Sequence, residues 1–276
     1  MPVPDLLTQA LPVLVTVAGI TGLLIGSFLN VVIHRVPMGE SVVSPPSRCP
    51  GCGAGIRPYD NVPVLSWVLL RGRCRSCAAP ISARYPLVEL ATGLLFAVVT
   101  LWVGRAGEWW VLPAHLYLAA IAVALTMIDL DVHRLPDVIV LPSYPVALLL
   151  LGTAAVTGGS GDAFVRALLG GSALFALYAL IWIVRPGGIG LGDVKLSGLL
   201  GLYLAWWGWD VLLVGAFAMF VLGGVAGVGL LLRGRAGRRT RLAFGPAMLA
   251  GGFLALFAGP VLAAWYLGLM GLGATV

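Results

Sequence analysis

Eight runs of apolar residues separated by polar breaks constrain this chain more than any other feature. They lie near Leu11–Ile33, Pro86–Val103, Val111–Ile128, Val138–Val156, Ala167–Val184, Leu196–Trp207, Val211–Leu232 and Ala247–Leu269. A bilayer core needs about 20 apolar residues per helix, and all but the sixth run come close to that length. The sixth is too short to cross unless its polar start, Gly190–Lys195, is buried within the bundle, where such backbone can face protein instead of lipid. Composition agrees, with 60% of residues apolar and 10% charged, against about 45–50% and 25% in soluble domains. A soluble fold of this size has too little interior to hide so much apolar side chain. Disorder, collagen and a secreted disulfide scaffold are excluded on the same grounds. The only early charge is Asp5, with no basic region or small-residue cleavage site, so the first run is expected to stay as a span.

Net charge is +6, from 16 Arg, one Lys and 11 acids. Placement says more than the sum. The break from His34 to Tyr85 carries Arg35, Arg48, Arg57, Arg71, Arg73, Arg75 and Arg84. Assigning alternate breaks to one face puts 15 basic residues there and two, Arg105 and Arg166, on the other. Positive charge collects on the cytoplasmic side, so the long first loop is expected there and both termini outside. Arg233–Arg241 then reads as a topology determinant touching anionic lipid. No nucleic-acid partner is expected.

All four cysteines lie in the first loop, as Cys49-Pro-Gly-Cys52 and Cys74-Arg-Ser-Cys77. Two such pairs suit tetrahedral Zn²⁺, each turn supplying two thiolates, and Arg48, Arg73 and Arg75 flank them. Disulfides fit poorly with a reducing cytoplasm, while a redox role and plain packing stay open. Four thiolates saturate the ion, so such a metal would shape the loop and would not catalyse.

Acids are few enough for position to matter. Asp129, Asp131 and Asp137 occupy the break between the third and fourth runs, and Asp193 follows Gly190-Leu191-Gly192. None has an obvious adjacent base, and an ionisable group at membrane depth defaults to a functional hypothesis. Asp137 also suits a helix start, and Asp131 could pair with Arg134 or His133. The glycines before Asp193 would let the backbone approach another segment and aim the carboxylate inward. Two carboxylates brought within about 3 Å share a proton; one can then activate water while the other polarises a scissile carbonyl. The same pair could instead relay protons in a transporter. Lys195 is the sole lysine, and a compact ammonium two residues after Asp193 could tune the acids' charge or meet a lipid phosphate.

These stretches together resemble the prepilin leader peptidase/N-methyltransferase family, the GxGD membrane aspartyl proteases of type IV pilus and type II secretion systems. The resemblance rests on Gly26-Ser27-Phe28-Leu29-Asn30 through His34-Arg35-Val36-Pro37, and on the four cysteines with Asp60-Asn61-Val62-Pro63 and Ser66-Trp67 between them. It continues through Arg84-Tyr85-Pro86-Leu87-Val88-Glu89, Ile128-Asp129-Leu130-Asp131, Leu135-Pro136-Asp137, Gly190-Leu191-Gly192-Asp193 with Lys195, and Phe244-Gly245-Pro246.

The resemblance implies an all-α polytopic membrane protein of about eight transmembrane helices, with a small cytoplasmic zinc-binding loop domain between the first and second. The expected parts are the first helix (residues 1–33), the four-cysteine loop (34–85) and a seven-helix peptidase domain (86–276). Carried over by position, the catalytic residues are Asp129 and Asp193, supported by Gly190, Gly192, Asp131, Asp137 and Lys195. The implied reaction removes the basic leader of prepilins or pseudopilins at the cytoplasmic face of the inner membrane. Methylation of the new N-terminus by S-adenosylmethionine would follow. The donor has no legible G-x-G-x-x-G site; Gly72 and Glu89 are its candidates. A proton-coupled transporter is the rival reading, and a zinc-bearing scaffold without chemistry a third.

Overall fold

The computed structural model describes residues 6, 7, 9–232 and 243–271. The basic stretch Arg233–Arg241 therefore lies outside the described residues. Among these residues every regular element is helical, and β-pairing is limited to two isolated bridges. The α-helices are α1 (Leu11–Arg35), α2 (Leu65–Leu69), α3 (Arg84–Ala106), α4 (Leu112–Val132), α5 (Asp137–Gly158), α6 (Gly161–Val184), α7 (Leu191–Trp207), α8 (Trp209–Leu232) and α9 (Gly245–Leu269). Seven of the described helical stretches are long and apolar enough to cross a bilayer. The other long helix, α7, has 17 residues and is the short sixth run.

The chain divides into two compact units, Met1–Met127 and Ile128–Val276, so that the last turn of α4 belongs to the second. In the first unit α1 lies along α3 at backbone distance. A Cβ added at Gly22 would stand 2.8 Å from Gly93 Cα, and one at Gly26 2.7 Å from Glu89 Cα. Small residues at such spacing let membrane helices meet by dispersion alone. At the head of this pair Asn30 donates to the Tyr85 carbonyl at 3.2 Å.

In the second unit α7 contacts α5, α6, α8 and α9. Its residues from Leu196 to Trp206 are buried without a break, as expected of a helix apolar on every side. Its start is not: Gly190 and Leu191 are exposed, and Gly192, Asp193 and Lys195 are half-buried. The expected burial of Gly190–Lys195 is thus only partly met. The other end is closed by Arg166 of α6, whose Nε and Nη2 donate to the carbonyls of Ala205 (2.7 Å) and Trp206 (2.5 Å). A cation suits these orphan acceptors at the negative end of the helix dipole. One of the two bases on the sparsely charged face thus holds a helix end.

A Cβ added at Gly201 of α7 would lie 2.8 Å from both Gly170 O and Gly171 Cα of α6. Gly201→Ala is therefore expected to cost about 1–3 kcal/mol by overpacking. Gly224→Ala, whose Cβ would meet nothing within 4 Å, is expected to cost nothing. Thermal unfolding of both variants in one detergent checks the contrast.

Candidate active site

Asp129 lies in the last turn of α4 with 4% of its surface exposed. Its Oδ2 accepts the N–H of Gly245 at 2.9 Å. Gly245 opens α9, so its amide is one of the donors that a helix start leaves without an internal partner, at the positive end of the dipole. A Cβ at Gly245 would stand 2.8 Å from that same oxygen. The approach needs glycine.

Asp193 is the third residue of α7, and its Oδ2 accepts the Gly190 N–H at 3.0 Å. This is the reciprocal half of a capping box; Gly190, lacking a side chain, supplies no other half. Each acid is thus fixed through Oδ2 by one backbone amide. Oδ1 of each accepts no hydrogen bond from the described residues.

Leu135, in the link between α4 and α5, joins the two acids. A Cβ at Gly192 would lie 3.0 Å from Leu135 Cβ, and a Cβ at Gly245 3.0 Å from Leu135 Cδ2. One buried leucine therefore touches the glycine beside each acid. The charge of Asp129 reaches the Asp193 carboxylate, which places the two acids in one neighbourhood. Tyr178 of α6, fully buried, also feels the Asp193 charge. Its hydroxyl donates to the Met219 sulfur at 3.7 Å. Its ring stacks on Phe220 at 5.1 Å, and Phe220 meets Phe244 at 6.2 Å. An apolar aromatic wall thus runs from near Asp193 to the residue before Gly245.

The remaining acids differ. Asp131 is exposed. Asp137 is the first residue of α5, as its sequence suggested, but it does have a base: Lys195 Nζ donates to both its oxygens at 2.8 Å. The expectation that Asp137 lacks a neutralising partner is corrected, because the partner lies 58 residues away in the chain and no local pattern marks it. Leu135, Gly245, Tyr144 and Tyr178 were not singled out as site residues from sequence. Leu135 and Gly245 stood inside recognised motifs, but nothing in the chain order gave them contacts.

In the first unit the two C-x-x-C turns repeat one geometry. Cys49 N–H donates to Ala54 O and Gly53 N–H to Cys49 O; Cys74 N–H donates to Ala79 O and Ala78 N–H to Cys74 O. Bridges Arg48–Gly55 and Arg73–Pro80 close the two turns. The fifth residue of each has positive φ, 71° at Gly53 and 58° at Ala78. All four sulfurs lie within 4.8 Å of one another, with Cys49 and Cys77 3.8 Å apart. Metal–sulfur bonds of about 2.3 Å in a tetrahedron require an S···S edge of about 3.8 Å, so the residues fit a metal ion. Backbone amides of Cys77 and Ser76, with the Cys49 thiol, hold Cys74 down to about 6. The Ala79 amide acts likewise on Cys77, but the crowding Cys52, desolvation and the other two sulfurs outweigh it and push Cys77 up to about 12. Four thiols this close resist common ionisation unless a cation joins them. Arg75 braces the second turn from outside, bidentate to Asp60 at 2.6–2.9 Å, which holds the Asp60 carboxyl below its ordinary range.

Gly72 and Glu89 are both engaged in the first unit. Gly72 has φ 63°, and a Cβ there would strike the Trp67 indole at 2.8 Å. Glu89, 8% exposed, accepts the Val64 N–H at 2.7 Å and bonds to Ser27. Val64 has φ 61° and ψ −50°, and Leu65 N–H donates to Pro63 O at 2.5 Å. This is the rare, strained form of γ-turn, held by a buried carboxylate.

Seven long apolar helices, two neighbouring aspartates and a four-thiol loop define a class, polytopic membrane proteins with acids at the ends of their helices. Comparison with known proteins makes it specific. A family model described as "Bacterial Peptidase A24 N-terminal domain" matches residues 20–103, and one described as "Type IV leader peptidase family" matches 116–232. A prepilin leader peptidase/N-methyltransferase of Aeromonas hydrophila is 40% identical over 89% of this chain and 91% of its own length. Proteins of the same name from Stutzerimonas stutzeri and Pseudomonas aeruginosa are 38% and 37% identical, over 90% and 97% of this chain and 92% and 98% of theirs. The chain belongs to the prepilin leader peptidase/N-methyltransferase family. No solved structure matches it. Nothing in these relatives supports the transporter reading.

The repeated turn makes its own prediction. Cys49→Ser is expected to reduce bound metal from about one ion per chain to almost none, measured by elemental analysis of the purified protein. Ala78→Gly, which removes about 1 kcal/mol of left-handed strain, is expected to slow metal loss to a chelator.

Proposed function

We propose that this chain is a membrane aspartyl endopeptidase that removes the leader of type IV prepilins or pseudopilins, and that it then methylates the exposed N-terminal amine. The observation that carries the peptidase reading is that Leu135 packs against both Gly192, beside Asp193, and Gly245, the hydrogen-bond partner of Asp129. The two acids come from separate helices, the Asp129 charge reaches Asp193, and each is held by one amide while its Oδ1 accepts no hydrogen bond from the described residues.

In the proposed reaction the pair holds one proton between them. The charged carboxylate takes a proton from water as its oxygen bonds to the scissile carbonyl carbon, and the protonated carboxyl gives its proton to the carbonyl oxygen as charge grows there. The resulting gem-diol collapses when the C–N bond breaks: the leaving amine takes up the proton won from water, and one hydroxyl of the gem-diol returns its proton to the other carboxylate. The Gly245 and Gly190 amides hold the acids in place meanwhile, and the aromatic wall of Tyr178, Phe220 and Phe244 limits water.

The cysteine cluster is assigned to structural Zn²⁺, which would cross-link the loop 34–85 when bound; residues 86–276 are assigned to the peptidase. The charge asymmetry of the sequence supports a cytoplasmic loop, an inner-membrane location and contact with anionic lipid. The implied methyl donor is S-adenosylmethionine. Gly72 under Trp67 and Glu89 on the Val64 turn are both engaged, so neither presents a cradle for it, and methylation rests on the relatives' name.

Mass spectrometry of the N-terminus of a co-expressed prepilin tests both halves. Asp129→Asn and Asp193→Asn are each expected to lower cleavage by about 10³-fold or more with the protein still in the membrane. Normal clipping by either variant overturns the peptidase reading. Gly245→Ala, which displaces the Asp129 carboxylate, is expected to lower cleavage about tenfold or more.

A further inference from the structure

The first turn of α7 carries Asp193 but has little to hold it. Gly190 and Gly192 offer no side chains, Leu191 is exposed, and glycine leaves the backbone freer than other residues. The next polar residue, Lys195, is by contrast held at both ends by α5. Its Nζ donates to both oxygens of Asp137 at 2.8 Å, and its carbonyl accepts the Tyr144 hydroxyl at 2.5 Å. That hydroxyl also lies within hydrogen-bonding reach of the Leu199 amide. Gly198 permits the approach, since any Cβ there would overlap the Tyr144 oxygen.

These contacts close a ring of short steps. Asp129 lies in the last turn of α4, Leu135, in the link that follows, packs on Gly192, and Asp137 starts α5. Lys195 returns the path to α7, two residues from Asp193. The side chains of Lys195 and Asp137 are 21% and 56% exposed, and a pair so solvated adds little to stability. What it does fix is the rotation and depth of the α7 start, and Tyr144 adds a second point of attachment on the same residue.

We infer that Lys195, clamped by Asp137 and Tyr144, is a positioning residue that sets the Asp193 carboxylate against Asp129. The inference rests on the peptidase reading above. It differs from a role for the lysine charge as such, because a clamp works with either polarity.

The test uses the full-length, detergent-solubilised protein and a prepilin substrate, with kcat and KM measured separately. Asp137→Asn and Lys195→Met are expected to lower kcat about 10- to 100-fold, the penalty of a misplaced catalytic group, with KM changed less than about twofold. The reversed pair, Asp137→Lys with Lys195→Asp, is expected to recover at least about tenfold over either reversed single. Wild-type kcat in Asp137→Asn or Lys195→Met overturns the inference. So does a loss confined to KM, or a reversed pair no better than its singles while it elutes and melts like the parent. Should the reversed pair fail to fold, Tyr144→Phe combined with Lys195→Met decides: losses that fall short of additive uphold the clamp, and additive losses overturn it. Retained cleavage in Asp193→Asn would instead remove the peptidase reading, so the two failures are told apart.

Discussion

The constraint on which the second unit depends is the shielding of a short helix. At 1.5 Å per residue, 17 residues span about 25 Å, less than a hydrocarbon core of about 30 Å. In lipid such a helix would leave polar ends in hydrocarbon. Here α5, α6, α8 and α9 all pack on α7, so its apolar length from Leu196 to Trp206 meets protein. Arg166 satisfies the carbonyls at one end, and Asp193 caps the amide of Gly190 at the other. Backbone-to-backbone packing at Gly201 and Gly171 brings α6 close enough for this. A helix that needs no lipid contact can begin with a carboxylate.

Both acids are set by the same device. An amide at a helix start binds one carboxylate oxygen, and a glycine leaves the space for it. Such amides are fixed dipoles that need no reorganisation when charge moves. A bulky neighbour, Leu135, occupies the space between the two glycines and keeps the approach apolar. The arrangement therefore orients each acid without neutralising it, whereas a nearby cation would have done both. The only lysine in the chain is directed instead at Asp137.

The four-thiol loop follows a different economy. Two short turns with matching hydrogen bonds place four sulfurs at tetrahedral spacing, and an ion at their centre would replace the hydrophobic core that so short a segment lacks. Non-glycine residues with positive φ occur here at Val64, Arg71 and Ala78. Strain of this kind persists where surroundings over-determine the backbone. The buried Glu89 carboxylate does so for Val64.

The chain order alone was enough for the fold class, the helix positions and the paired C-x-x-C turns, and it marked Asp129 and Asp193 as the candidate acids. Each is a local property: apolar run length, C-x-x-C spacing, or a carboxylate beside small residues at a membrane edge. The start of α5 at Asp137 was legible for the same reason. What only the tertiary structure decided was partnership. That Gly245 donates to Asp129, that Leu135 bridges two glycines, and that Lys195 serves Asp137 and Tyr144 depend on residues 51 to 116 positions apart or on contacts no motif encodes. The exposure of Gly190 and Leu191 came from the same source. A membrane helix is apolar on every face, so its sequence carries almost no amphipathic signal of which side meets a neighbour, and only packing can assign it.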